Sequence, residues 1–502
     1  MPKAGRGRSA LLSRFRMRAA RPPSVALGRQ RRDETRRRRE ARRRGAPSAM
    51  AAGMMRSPAR GAAAGVELSK APMWLRRALG PATSFADQAF ASVCNFLTTI
   101  VLARSLGLEG FGVYSMVWLA VYLAMNLQLG LIVSPMMSIG SKREGPVADA
   151  YYVVILLHQA VYTLLATAAI FGALSALEPF RLDGDLPLAG ALCAAAYLMQ
   201  DFLRRFLFTR GRPSAVLLID MLNQGLKLGV LAVLWQDDLV SVDSALLTVA
   251  GAAAASAIAG MAVAGPLRWR RRVFAEITAR QWRSARWLVL TGTVQWLLSY
   301  SGLLVTAGLL GPTVLGALRA AQSVLAVLNV VREALENILP PLIGRAMSVS
   351  GVPGVRKTVV VALLLAALTG CVIVLALKLT GPWLLRQLYG GEIVAYDWVI
   401  VWYACAFPMA LVSLVLGCAF RALEKTRPIF VSALVGACFN ILTVYPAAVA
   451  FGVAGIISVT LASEFVVLTM LAVLARGSGL FEAGRADARR DGSVIGAAVR
   501  LP

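Results

Sequence analysis

Apolar runs of about 20 residues recur along this sequence from residue 83 to residue 476, with only short polar breaks between them. A run of that length crosses the hydrocarbon core of a bilayer as one α-helix, because a helix satisfies its own backbone hydrogen bonds. The chain is also 58% hydrophobic and only 16% charged, against about half and about 25% in a soluble domain. The sequence therefore predicts an all-α integral membrane protein with about twelve transmembrane helices. We expect spans near 83–104, 111–135, 151–176, 186–207, 214–235, 244–265, 286–308, 314–341, 358–379, 396–420, 428–449 and 452–475.

The net charge of +27 raises the possibility of a nucleic-acid-binding protein. Much of the excess lies in the first 60 residues, and most of the rest lies in short loops between apolar runs. That distribution is typical of membrane topology and not of a nucleic-acid groove, so no nucleic-acid partner is expected.

Loops rich in lysine and arginine alternate along the chain with loops that hold few of either residue. Beginning after the second span, every other loop is basic, with roughly 19 Lys and Arg in total, whereas the opposite loops hold roughly four: Arg104, Arg181, Lys378 and Arg386. Basic loops stay in the cytoplasm, so both termini are predicted to be cytoplasmic. An odd number of spans destroys this alternation, which favours twelve.

The two halves of the chain resemble each other at an offset near 204 residues. Leu106-Gly107 followed by Gly112 recurs as Leu310-Gly311 followed by Gly316, and Arg212-Pro213 recurs as Arg427-Pro428. Six spans per half is an even number, so the halves share one orientation and are related by an axis along the membrane normal. We therefore predict two pseudo-symmetric six-helix lobes around a central cavity.

These boundaries divide the chain into five parts. Residues 1–75 form a basic N-terminal tail, too poor in core-forming residues to fold, or, over 1–49, translated upstream sequence with later starts at Met50, Met54, Met55 or Met73. The remaining parts are an N-terminal lobe (76–265), a basic cytoplasmic linker (266–285), a C-terminal lobe (286–476) and a C-terminal tail (477–502).

Short motifs at the start of the first lobe indicate a family. Asp87-Gln88-Ala89-Phe90 leads into Leu102-Ala103-Arg104-Ser105-Leu106-Gly107, and Glu109-Gly110-Phe111-Gly112-Val113-Tyr114 follows. Later landmarks are Leu388-Tyr389-Gly390-Gly391-Glu392 and Arg421-Ala422-Leu423-Glu424-Lys425-Thr426-Arg427-Pro428. Over residues 80–475 the chain resembles the polysaccharide-transporter branch of the multidrug/oligosaccharidyl-lipid/polysaccharide exporter superfamily.

The resemblance implies a transporter of the cytoplasmic (inner) membrane that flips polyprenyl-pyrophosphate-linked oligosaccharides to the outer leaflet by alternating access. It also implies a role in exopolysaccharide, capsule or O-antigen assembly, with polysaccharide polymerase and export proteins as partners beside the lipid-linked oligosaccharide and membrane lipids. No enzymatic activity, cofactor or metal is expected. In the family, the first and second helices of each half line the cavity.

Polar residues inside a membrane are costly and should face a cavity or one another. The candidate substrate-binding residues lie on the first, seventh and eighth spans, where Arg suits pyrophosphate and Asn or Gln suits sugar hydroxyls: Asn95, Arg104, Gln295, Arg319, Gln322, Asn329 and Arg332. Candidates for coupling transport to an ion gradient are Asp87, Asp220, Lys227, Glu333 and Glu336. Internal pairing is the alternative, namely Arg332 with Glu336, or Asp220 with Lys227 through Gln224.

Other functions remain open on sequence grounds. A drug/cation antiporter and a peptidoglycan-precursor flippase fit the same fold. A membrane glycosyltransferase or polymerase is suggested by Asp183-Gly184-Asp185, a DxD motif, although turns favour Asp and Gly anyway. The one histidine, His158, and six cysteines all lie in apolar segments without metal-ligand spacing, which favours plain packing roles.

Overall fold

The structure is a computed structural model that describes residues 73–143, 145–176, 185–265, 273–423 and 425–477, without the side chains of residues 73–89, 146–147 and 337. The predicted tails, the loop 266–272 and the first two residues of the DxD motif therefore lie outside the described residues. The helices of the first half are α1 (Met73–Gln128), α2 (Ser134–Gly140), α3 (Gly145–Ser175), α4 (Leu186–Thr209), α5 (Pro213–Gln236) and α6 (Val242–Ala262). Those of the second half are α7 (Phe274–Val305), α8 (Pro312–Ala326), α9 (Asn329–Tyr389), α10 (Val399–Ala422) and α11 (Arg427–Gly477).

Within the described ranges, nine helical stretches are long and apolar enough to cross a membrane. Three of them, in α1, α9 and α11, bend at a glycine with positive φ: Gly107, Gly351 and Gly452. Each bend divides its helix into two, because left-handed backbone cannot continue a right-handed helix. Nine stretches with three divisions agree with the twelve predicted spans, and the predicted all-α membrane fold is confirmed.

The repeat is visible in the backbone at the end of the molecule where Gly107 lies. Gly107 has φ 66° and ψ −179°, and its repeat partner Gly311 has φ 85° and ψ 175°. A Cβ on Gly112 would collide with the backbone of Pro312, and a Cβ on Gly316 would collide with the carbonyl of Leu108. In each half, the equivalent glycine therefore packs against the equivalent backbone position of the other half. This is the geometry of two halves related by a pseudo-twofold axis.

A shared apolar core joins the halves at this end. Leu102 and Val117 of α1 are fully buried with Leu315 and Leu318 of α8 and with Ile400 of α10. Separate cores lie within each half, around Tyr151, Phe202 and Phe206 in the first and around Val359, Val415 and Phe420 in the second.

The second segment of α1 is completed by a residue of the other half. Because Gly107 breaks the helix, the backbone N–H of Leu108 has no partner within α1. Glu392, in the 3₁₀ turn Gly391–Tyr396, supplies it with a carboxylate oxygen at 2.9 Å. Arg104 lies beside it and donates to the backbone carbonyls of Leu388 and Gln387. We call these contacts of Arg104 and Glu392 the latch.

At the opposite end, α7 begins at Phe274, inside the range predicted as linker (266–285). The arginine-rich sequence conceals a helical stripe, because Ile277, Gln281 and Ala285 recur every four residues and are all buried. Gln281 donates to the carbonyl of Ile132 at 2.9 Å, in the π-helical segment Leu129–Val133 that follows α1. The stretch 274–285 is therefore packed against the first half.

The predicted eighth span, 314–341, is two helices and not one. α8 ends at Ala326. A tight turn through Val327 and Leu328, in which each backbone N–H donates to the carbonyl three residues earlier, leads into α9. The predicted polar stripe of the eighth span is therefore divided, with Arg319 and Gln322 before the turn and Asn329, Arg332, Glu333 and Glu336 after it.

Candidate functional site

A cavity of about 230 Å³ lies between the second segment of α1 and α7. α1 belongs to the first half and α7 to the second, so the cavity straddles the boundary between them. Of the predicted binding residues, Gln295 lies in its wall, and the full lining is Tyr122, Met125, Asn126, Gln295, Trp296, Ser299 and Tyr300. Gly292 makes room for this wall, because a Cβ there would come within 3.1 Å of the Asn126 side-chain oxygen.

Aromatic rings from both halves form one continuous surface at the cavity. The ring of Tyr122 lies 5.6 Å from that of Tyr300 at an interplanar angle of 29°. Trp296 lies 5.5 Å from Tyr300, and Trp118 lies 5.3 Å from Tyr122. Such offset and tilted pairs are the favoured arrangements of aromatic side chains. We call Trp118, Tyr122, Trp296 and Tyr300 the aromatic wall.

Arg319 of α8 stands beside the aromatic wall. Its Nη2 donates to the Tyr122 hydroxyl at 3.4 Å, and its guanidinium carbon lies 5.5 Å from the centre of the Tyr122 ring, a cation–π distance. Its Nη1 donates to Gln322 Oε1 at 3.3 Å. Within the part of the chain that the structure describes, no carboxylate lies within ion-pair distance of Arg319. The guanidinium is held by neutral groups, so its charge is available to a ligand.

Asn95 and Lys227 lie together but away from this cavity. Lys227 of α5 is only 5% exposed, and its Nζ donates to Asn95 Oδ1 at 2.7 Å. Gln224 reaches the same oxygen at 3.4 Å. The carboxylate of Asp220 accepts from Arg204 Nε at 2.5 Å and from Gln200 Nε2 at 3.0 Å. The pairing of Asp220 with Lys227 through Gln224 stays a prediction.

The remaining predicted residues lie elsewhere. Arg104 belongs to the latch, and the side chain of Asp87 is outside the described residues. Asn329 and Arg332 are exposed, and Glu333 and Glu336 are half-buried. Arg332 Nε lies 4.0 Å from Glu336 Oε1, so the alternative pairing of these two residues is present in the structure. Binding and coupling roles for these residues stay predictions.

Apart from Gln295, the lining residues were not among the predicted binding residues, and Trp296 and Tyr300 are two of those that were missed. The signal was present in the sequence, because they repeat the four-residue spacing of Gln295 and Ser299 one position along the same helix. Aromatic residues in a membrane helix are common, and only the contact with α1 distinguishes these two.

Comparison with known proteins identifies the fold. No family model matches the sequence, and no curated protein matches it. Among solved structures, the lipid II flippase MurJ in an inward closed conformation aligns with a TM-score of 0.60 at 10% identity, over 79% of this chain and 87% of that chain. An inward-facing multidrug resistance MATE family transporter aligns with a TM-score of 0.60 at 14% identity, over 78% and 96%. A MOP superfamily transporter from Pyrococcus furiosus gives 0.55 at 15% identity, over 82% and 96%.

These likenesses are too distant in sequence to show more than the fold. The chain has the two-lobe, all-helical fold of multidrug/oligosaccharidyl-lipid/polysaccharide (MOP) superfamily transporters. Membership of that superfamily stays a prediction from the sequence resemblance. The polysaccharide-transporter branch is a finer assignment than this likeness reaches.

Proposed function

We propose that this protein is a transporter that flips a polyprenyl-pyrophosphate-linked oligosaccharide across the cytoplasmic membrane for exopolysaccharide, capsule or O-antigen assembly. The observation that carries the proposal is Arg319, a guanidinium that has no carboxylate partner among the described residues and contacts Tyr122, which lines the cavity between the two lobes. In the described part of the chain, that lining contains amides, hydroxyls and aromatic rings and no acidic residue. A pyrophosphate-linked sugar matches both the charge and the polar lining.

The sign of this charge separates the candidate functions. A drug/cation antiporter must stabilise positive charge, whereas the potential around Arg319 repels it in a site partly shielded from bulk water. The likeness to a lipid II flippase supports a second candidate, flipping of a lipid-linked peptidoglycan precursor. Both candidate flippase functions have an anionic lipid-linked saccharide as cargo, so Arg319 can bind the headgroup in either case.

The position of Arg319 also links binding to motion. Arg319 belongs to the second half, while its hydroxyl partner, Tyr122, belongs to the first. An anionic headgroup that binds this guanidinium competes with the Tyr122 hydroxyl and weakens a contact between the halves. A ligand moves a conformational equilibrium only through such a difference in contacts. Cargo binding thereby favours the rocking of one half against the other that alternating access requires.

The test is flipping by the purified full chain in proteoliposomes, with a fluorescent polyprenyl-pyrophosphate oligosaccharide as cargo. We expect Arg319→Ala to slow flipping at least about tenfold, the rate equivalent of about 1.4 kcal/mol, and Arg319→Lys to recover only part, since the planar fork is lost. Arg356→Ala, an exposed arginine of the same half, is the matched control and should flip normally.

Three outcomes decide between the functions. Flipping of the oligosaccharide cargo in preference to a lipid-linked peptidoglycan precursor supports the main proposal, and the reverse preference supports the second candidate. Export of a cationic dye by a protein that ignores both lipids, unaffected by Arg319→Ala, refutes both flippase functions.

A further inference from the structure

The aromatic wall has unsatisfied hydrogen-bond donors. Trp296 is 7% exposed, and its indole N–H has no hydrogen-bond partner among the described residues. The side-chain NH₂ of Asn126 is likewise buried without a partner in the described ranges. Buried donors in folded proteins are nearly always paired, so each such group needs an explanation. Both residues line the cavity, so a bound group with acceptor oxygens is one explanation for these two donors.

The cavity has room for a small ring. A cavity of about 150 Å³ holds a benzene ring, and this one measures about 230 Å³. It can therefore hold one six-membered ring with polar substituents.

The wall also provides apolar ring surface. The rings of Tyr122 and Tyr300 are offset from each other and 29° from parallel, and both line the cavity, so the ring surface left uncovered there can contact the C–H groups of a sugar. Gln295 and Ser299 are exposed on the same wall and supply further hydrogen-bonding groups. A pyranose has an apolar C–H face with hydroxyl groups around its edge, so its binding site needs an apolar surface with hydrogen-bonding groups around it.

We propose that the cavity between α1 and α7 is a binding subsite for one pyranose ring of the cargo. The C–H face of the sugar lies on Tyr122 and Tyr300, and its hydroxyl oxygens accept hydrogen bonds from Trp296 and Asn126. Arg319, next to Tyr122, pairs with an anionic group attached to that sugar. This inference rests on the proposed function for the identity of the cargo, and it assigns the sugar beside the anion as the part that this protein recognises.

Intrinsic tryptophan fluorescence tests the subsite without any transport. Two of the ten tryptophans belong to the aromatic wall. The purified full chain in detergent is titrated with glucose 1-phosphate, methyl glucoside, glucuronate and inorganic phosphate. We expect saturable quenching by the sugars, with glucose 1-phosphate or glucuronate binding at least about tenfold more tightly than methyl glucoside or phosphate, according to whether the anion is a phosphate or a carboxylate.

Variants connect the signal to the wall. Tyr122→Ala should weaken sugar binding at least tenfold. Tyr122→Phe keeps the ring but removes the hydroxyl that competes with the anion for Arg319, so neutral sugars should bind normally and anionic sugars at least as tightly as to the unmodified chain. Trp296→Phe removes the unsatisfied donor and should weaken all the sugars, whereas Trp402→Phe, an exposed tryptophan of α10, should bind like the unmodified chain. Calorimetry with Tyr122→Phe and Trp296→Phe gives the answer if Tyr122→Ala does not fold.

The inference is overturned if inorganic phosphate binds as tightly as the sugar phosphate, if no sugar binds, or if Tyr122→Ala and Trp296→Phe bind every probe normally. Its failure is distinguishable from that of the proposed function. Flipping of the lipid-linked cargo without sugar binding refutes the subsite alone, and sugar binding without flipping refutes the function alone.

Discussion

Lys227 is the residue whose chemistry conflicts most with its surroundings. It is a 5% exposed ammonium that donates a hydrogen bond to Asn95, an exposed side chain on α1. A buried charge is tolerated in a membrane protein only with a partner, because leaving water is costly. Asn95, predicted to bind substrate, is thereby tied to the interior of the first half, and its amide oxygen serves the lysine.

Removing the Asn95 oxygen should therefore destabilise the protein. We expect Asn95→Ala to lower the free energy of unfolding by about 1.5–3 kcal/mol, the range for hydrogen bonds to charged groups. Adding Lys227→Met should restore most of that loss, because both polar groups are then gone. Unfolding of the purified chain in mixed micelles measures both effects. Asn329→Ala, an exposed asparagine, is the control, and equal losses in all three variants contradict this account.

Arg332 and Glu336 are more exposed than the Lys227 ammonium that pairs with Asn95. Their side chains are 54% and 37% exposed and lie 4.0 Å apart, and such a pair contributes about 0–1 kcal/mol. Arg332→Ala should therefore leave stability within about 1 kcal/mol of the unmodified chain. If flipping falls in Arg332→Ala and stays low when Glu336→Gln is added, the cargo uses Arg332. Full recovery in the double variant instead identifies an internal pair.

At the scale of elements, the contact between α1 and α8 depends on the absence of side chains. Gly112 and Gly316 each lie against the backbone of the opposite half, with no room for a methyl group. Backbones that approach so closely gain packing contacts along both helices, which is the main attraction between helices in lipid. The two helices carry Tyr122 and Arg319, so their spacing sets the geometry of the site.

Gly112→Ala should force α1 and α8 apart. We expect the free energy of unfolding to fall by about 1–3 kcal/mol, as for other overpacked sites, and Gly316→Ala to have a similar effect. Gly229→Ala is the matched control, because it lies inside α5 with nothing within 4 Å of the new methyl group. It should be neutral or stabilising. Thermal unfolding in detergent distinguishes them, and a Gly112→Ala variant as stable as Gly229→Ala contradicts the packing described above.

The elements themselves were largely predictable. Spans follow from apolar length, and the repeat landmarks Leu106-Gly107 and Leu310-Gly311 coincide with glycines of positive φ that interrupt the helices. The start of α7 was missed because its buried stripe of Ile277, Gln281 and Ala285 is diluted by arginines. The turn at Val327–Leu328 was missed because neither residue disfavours a helix, and only packing places the turn there.

The site was predictable only in part, for the same reason. Gln295, Arg319 and Gln322 stood out because polar groups are rare in membrane helices. Nothing in the spacing along α1 and α7 shows that Tyr122 stacks on Tyr300, since that contact joins residues 178 positions apart, between halves whose relative position the sequence does not specify.

At the scale of the whole molecule, the latch is one of the contacts that hold the halves together. Arg104 and Glu392 bond to backbone groups across the boundary, at the end that the basic loops predict to be external. The proposed transport by alternating access requires this end to open, so on that proposal these bonds break in each cycle.

Weakening the latch should expose the interior at that end. In a chain whose native cysteines are replaced, we introduce Ala317→Cys, a fully buried position of α8, and measure its reaction with a membrane-impermeant thiol reagent. Arg104→Ala with Glu392→Gln should raise the labelling rate about tenfold, the shift expected for about 1.4 kcal/mol. Arg386→Ala breaks an ion pair with Asp397 inside the second half and should not change the rate. Equal labelling in all three proteins contradicts the role of the latch.

The reciprocal contact of the glycines has a consequence for ancestry. Gly112 meets Pro312 while Gly316 meets Leu108, so the surfaces match as in a homodimer with twofold symmetry. A shorter gene encoding six spans would already specify both sides of this contact, and two copies of its product would assemble with the same orientation in the membrane. Fusion of two such genes then lets each half diverge. Glu392 departs from this symmetry, because it lies beside Gly107, whereas nothing among the described residues lies within 4 Å of a Cβ placed on Gly311.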